Sequence, residues 1–203
     1  MMRIEDAKNI FKGNFIGPEK LIKVNKKLNF KLPGIIPDIN IRLDNIDPSK
    51  YILIFGCNQL SDSSTLNIKS LIQIFGFNYS NNNVCFYNQD WYLKESFATI
   101  SLENKWYLIE KNIQDETRGI QPVSEIEATL PSAILCAYTF FIWWLSNNEL
   151  LWPNDYVWCS DKDKYGDRIY VGKYLDNDNI KRSGFSIHRH LSIKQNYGSI
   201  KSI

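Results

Sequence analysis

Two histidines, His188 and His190, are the only ones in the chain, and a single arginine, Arg189, separates them. On a strand, alternate side chains share a face, so both imidazoles would meet one ligand. Imidazole titrates near neutrality, which suits acid and base work on a phosphodiester or ligation of a divalent metal. Asp161 or Cys159 would supply further ligands, giving a metal set of His188, His190 and Asp161. The plainer expectation is two half-exposed histidines on an alternating strand.

Tyrosines form the second set. Tyr156-Val157-Trp158 and Tyr170-Val171-Gly172 flank a turn, Lys164-Tyr165-Gly166-Asp167. Over about 35 of 203 residues this resembles the paired strand motif of the GIY-YIG nucleases. The resemblance implies that Tyr156 and Tyr170 help activate water. It also implies that Arg189 or Arg182 holds phosphate, with a divalent metal bound by a later glutamate. With His190 added, the catalytic set under this reading is Tyr156, Tyr170, Arg189 and His190. The chain departs from that family in three ways. The first motif lacks its glycine, no glutamate follows Glu149, and residues 185–193 alternate like a strand rather than a helix.

A third set is the turn Asp161-Lys162-Asp163-Lys164-Tyr165-Gly166-Asp167. Alternating acids before a glycine can hold calcium, but lysines interrupt the pattern and no glutamate closes it. A solvated hairpin turn is expected instead. Glu125 and Glu127 are expected to favour the start of the following helix through its dipole.

These residues need elements to hold them. The run from Glu127 to Glu149 encloses 21 residues without a formal charge. It predicts a core helix over 131–146, capped by Thr129 and apolar on nearly all sides. After Pro153 the pattern alternates over 156–159, 168–175 and 185–193, with short turns between, which predicts an antiparallel meander. Upstream, 4–12 and 18–28 read as a basic helical hairpin, with Lys20, Lys23, Lys26 and Lys27 exposed. A fully apolar strand at 51–56, a helix at 66–75 and a strand at 84–87 read as a crossover unit, and Asn78–Asn83 as an Asn-rich turn. The fold class is α+β: a helical hairpin, a mixed sheet with one crossover helix, and the aromatic helix packed on the meander. Residues 1–32 are expected as an appendage and 33–203 as a single domain.

Composition excludes several classes. At 44% hydrophobic and 23% charged, the chain is expected to fold into a sizeable core. The densely apolar part of the uncharged run is 133–145, too short to span a bilayer, and Met1-Met2-Arg3 leads no apolar signal segment. Four scattered cysteines fit neither a disulfide scaffold nor a zinc ribbon, so reduced thiols and a cytoplasmic setting are expected. Residues 1–32 hold eight Lys or Arg against three acids, and no acid follows Asp178. Basic termini could meet nucleic acid, and a bare Trp143/Trp144 face would favour a homodimer. The functional expectation is an intracellular binding or interaction protein without catalysis or cofactor. The alternative is a metal-dependent phosphodiesterase or nuclease, and a lectin-style module would need an open aromatic groove at Trp152 and Trp158.

Overall fold

The computed structural model describes residues 2–43, 46–80 and 83–203, with all their side chains except those of 25–27. The expected exposure of Lys26 and Lys27 lies outside the described residues, as do Met1 and, in the expected Asn-rich turn, Asn81 and Asn82.

Helix α1 (Ile4–Phe11) buries Ala7 and Phe11, four apart on one face. Helix α2 (Pro18–Leu28) opens on a proline, whose missing N–H is no loss in a first turn. Between them β1 (Phe15–Ile16) pairs in parallel with β2 (Tyr51–Phe55). On its other edge β2 runs antiparallel to β3 (Trp106–Glu110), with Leu53 opposite Leu108. The mixed sheet with a crossover helix is therefore present, and the helix that crosses is α2. Helix α3 (Ile68–Phe75) forms with a reciprocal cap between Asn67 and Ser70. The strand expected after it does not form. Val84–Tyr87 makes only a single bridge, Phe86 to Phe185, because both edges of β2 are already taken by β1 and β3.

A short helix α4 (Ser124–Glu127) leads to the aromatic helix α5 (Ala133–Asn147). Ser132 caps α5, its Oγ accepting from Leu135 N at 3.3 Å. Thr129, expected in that role, instead donates its hydroxyl to Ile126 O at 3.0 Å. Every residue from Ala133 to Trp143 is buried. One side of α5 rests on β4 (Tyr156–Lys162) and β5 (Arg168–Gly172), and α2 and α3 cover the rest. The cover comes from the same chain. Trp143 is only 3% exposed, and its neighbour Trp144 is partly buried against the same core.

Strands β4, β5 and β6 (Ser186–His188) form the expected antiparallel meander, and β7 (Tyr197–Gly198) adds in parallel to β4. The strand expected over 185–193 stops at His188, because His190 takes φ 62°, where a pleat cannot continue. Beyond β7 the last residues cross to the other sheet. Leu108 and Ile203 exchange backbone hydrogen bonds of 2.9 Å each way, so the carboxyl terminus ties β3 to the meander. The fold is α+β with two mixed sheets. Among the described residues no helix is long and apolar enough to cross a membrane.

Candidate functional site

The pleat of the meander sorts its side chains onto two faces. Val157, Cys159, Ile169, Val171 and Ile187 join the main core beside α5. Tyr156, Trp158, Tyr170 and Tyr197 point the other way and form a second cluster with Leu130. Tyr156 and Tyr170 have ring centroids 5.3 Å apart, and His188 lies 5.6 Å from Tyr156 and 6.4 Å from Tyr170. Three of the expected site residues, Tyr156, Tyr170 and His188, are thus brought together.

Burial decides their protonation. The phenols of Tyr156 and Tyr170 are pushed well above the ordinary tyrosine value, chiefly by desolvation. Burial, and then the nearby Lys173 ammonium, pulls the His188 imidazole down to about 4. His188 is therefore neutral at pH 7. Its ring nitrogens lie 3.2 and 3.3 Å from Gln89 Nε2, while Gln89 Oε1 is buried with no hydrogen-bond partner. Tyr170 accepts from Leu191 N at 2.7 Å, and Trp158 Nε1 donates to Ile120 O at 3.1 Å.

Tyr156, Ser186 and His188 line a depression of about 280 Å³, together with Tyr87, Lys173, Asp176, Asp178 and the apolar Leu175 and Leu191. Tyr87 also borders an adjoining depression of about 450 Å³, where Asn78, Asn88, Lys181 and Arg182 stand. Most of the lining comes from two segments, residues 77–79 with 87–88, and residues 173–188. The Phe86–Phe185 bridge holds them side by side, with Tyr87 N donating to Phe185 O at 3.0 Å and Phe185 N to Cys85 O at 2.8 Å. The second segment leaves the sheet through Gly172 at φ 115° and Lys173 at φ 38°. A Cβ at Gly172 would sit 2.5 Å from Asp155 O, so only glycine fits there. Lys173, a non-glycine residue held at positive φ, donates its N–H to that same carbonyl at 2.7 Å. Such local strain concentrates at ligand-contacting segments.

The other expected site residues go elsewhere. Arg189 turns to the β4–β5 hairpin, where its guanidinium pairs with Asp163 and lies 3.8 Å from Glu95 Oε1. The same group sits 4.4 Å above the Trp91 ring. Asp163 is fully buried, and Oδ1 accepts from Tyr165 N at 2.9 Å and Asp167 N at 2.8 Å. Burial pushes this carboxyl up, but the bonds from Asp167, Arg189 and Tyr165 outweigh it and hold it below its ordinary value. His190 is exposed and lies 2.5 Å from Asp167 Oδ2 through Nε2. One ligand atom each from Asp163, Asp167 and His190 lies within 4.8 Å of the others, close enough to hold a cation. Asp163, however, is already satisfied by its turn and by Arg189.

Asp161, expected as a metal ligand, instead caps α5: its Oδ2 accepts from Ala133 N at 2.6 Å. The acid at the helix start is therefore Asp161 rather than Glu125 or Glu127, and Glu127 pairs with Arg168. The metal set His188, His190 and Asp161 is not assembled. His188 faces the tyrosines, His190 the hairpin, and Asp161 the helix. An open groove at Trp152 and Trp158 is also absent, both rings being 3% exposed.

Sequence reasoning missed Tyr87, Lys173 and Lys181 at the double depression, and reached Arg182 only as a phosphate arginine implied by the nuclease resemblance. All lie outside strands and helices of α type, and the loop that carries three of them is announced only by Gly172 and Gly184 at its ends. Compared with known proteins, the chain matches no family model, no curated protein and no solved structure.

Proposed function

We propose that this chain is a binding protein without catalytic activity, its ligand seated in the double depression around Tyr87. The carrying observation is that the two groups there placed to shuttle a proton, Tyr156 and His188, stay neutral near pH 7. Tyr156 is pushed up and His188 is held at about 4. A proton shuttle needs a value close to the working pH, whereas neutral hydroxyls and imidazole suit hydrogen-bond recognition. A hollow with a few converging polar groups and aromatic walls is a common form of ligand site. Four buried free thiols favour a reducing, cytoplasmic setting. Nucleic acid as a partner through the basic amino terminus has less support, since Arg3 and Lys8 already pair with Asp6 and Glu19.

The test is a thermal-shift screen of sugars, nucleosides, amino acids and phosphate esters against the wild type and Asn88→Trp, a change at the exposed rim. A ligand that raises Tm in the wild type and not in the variant supports the reading. No shift, or shifts unchanged by Asn88→Trp, contradicts it.

One observation favours the rival, a metal-dependent phosphodiesterase: the close approach of Asp163, Asp167 and His190. That reading predicts oligonucleotide cleavage with magnesium or manganese, lost in Asp167→Asn. The binding reading predicts none.

A further inference from the structure

The two parts of the depression differ in charge. The larger is bordered by Lys181, Arg182 and the amides of Asn78 and Asn88, and no carboxylate borders it among the described residues. Neither cation makes an ion pair among the described residues. An arginine fork, an ammonium and amide donors make up the donor set that recognises an oxyanion. The smaller part carries Asp178 beside Lys173, Ser186 and neutral His188. Asp176 there spends Oδ1 on the N–H groups of Asp178 and Asn179, at 3.0 and 3.1 Å. Asp178 has no such bond among the described residues and so keeps its acceptor oxygens free. Acceptors and neutral donors together suit hydroxyl groups. Tyr87 borders both parts and offers a ring face between them.

Taken together, the geometry points to a phosphorylated, hydroxyl-bearing ring as the ligand: phosphate on Lys181 and Arg182, hydroxyls at Asp178, and ring against Tyr87. A nucleoside monophosphate and a sugar phosphate share this chemistry. The inference rests on the binding reading above and narrows its ligand class.

Titration calorimetry on the full chain tests it, with AMP, glucose 6-phosphate, inorganic phosphate, adenosine and glucose as probes. The phosphate esters are expected to bind roughly tenfold or more tighter than their neutral counterparts. Lys181→Gln with Arg182→Gln should erase that difference. Asp178→Asn should weaken the esters and leave inorganic phosphate unchanged. Preference for AMP identifies a nucleotide, and preference for glucose 6-phosphate identifies a sugar; either outcome supports the inference. Equal binding of esters and neutral compounds overturns it. If Asn88→Trp then blocks those neutral compounds, the binding reading stands and only the phosphate class falls. If no probe binds, or Asn88→Trp blocks none, both fall.

Discussion

Tyr156 and His188 meet edge to face, ring centroids 5.6 Å apart and planes at 89°, although they lie on strands separated by β5. The β5 residue opposite Tyr156 is Gly172, whose missing side chain leaves that space open, and Tyr170, opposite His188, packs against both rings. That packing desolvates the imidazole and couples the fold to pH. The folded value of His188 is about 4 against an ordinary 6.5, so the unfolded chain binds the extra proton between those values. Stability from this residue is fully present above pH 6.5 and is lost as pH falls toward 4, by up to about 3 kcal/mol. Urea unfolding of the wild type at pH 7 and pH 4.5 should show the loss, and His188→Gln should remove most of the difference. An unchanged pH slope in the variant would place the effect elsewhere.

The hairpin network makes a separate claim. Asp163 is fully buried, Glu95 6% and Arg189 22% exposed at the side chain, so each charge depends on the others. Removing one partner strands the rest, at a cost of about 3 kcal/mol or more. Asp163→Ala should lower unfolding free energy by that order. It should do so without added metal and without rescue by manganese. Stabilisation of the wild type by manganese, lost in Asp163→Ala, would show that the cluster is a cation site rather than a structural turn.

Gly172 supports the loop that carries Lys173, Lys181 and Arg182. At φ 115° and with Asp155 O 2.5 Å from any Cβ, Gly172→Ala should cost about 2 kcal/mol or more. The variant should also weaken ligand binding, because the strand exit moves. Loss of stability with unaltered affinity would separate the loop from the site.

Phe140 is fully buried on α5, stacked on Tyr174 at 5.5 Å and tilted against Phe185 at 4.8 Å. Phe140→Ala should cost about 3–5 kcal/mol, read by denaturant midpoint at constant m. A cost below 1 kcal/mol would contradict the interior placement of α5.

Much of the fold was legible because its signals are local. The apolar run of α5 and the alternation of β4, β5 and early β6 depend on neighbouring residues, and they form where expected. Strands β1 and β7 have two residues each and carry no period of their own, so only their long-range partners reveal them. The crossover was read onto α3 because nothing in residues 51–87 shows that β1 and β3 already flank β2. The site divides in the same way. The paired strand motif brought Tyr156 and Tyr170 together, whereas alternation grouped His188 with His190 rather than with the tyrosines it meets. Alternation failed at Arg189 and His190 because positive φ at His190 ends the pleat. Tyr87 reaches His188 through a pairing of Phe86 with Phe185, a contact that no local pattern announces.

Chemical-shift mapping of backbone amides during titration with AMP and with inorganic phosphate is the most direct test of the central claim. The account predicts that the largest changes fall on Tyr87, Asn88, Lys173, Lys181, Arg182 and Ser186, with His188 following for AMP. Largest changes at Asp163, Asp167 and His190, or none anywhere, would contradict it.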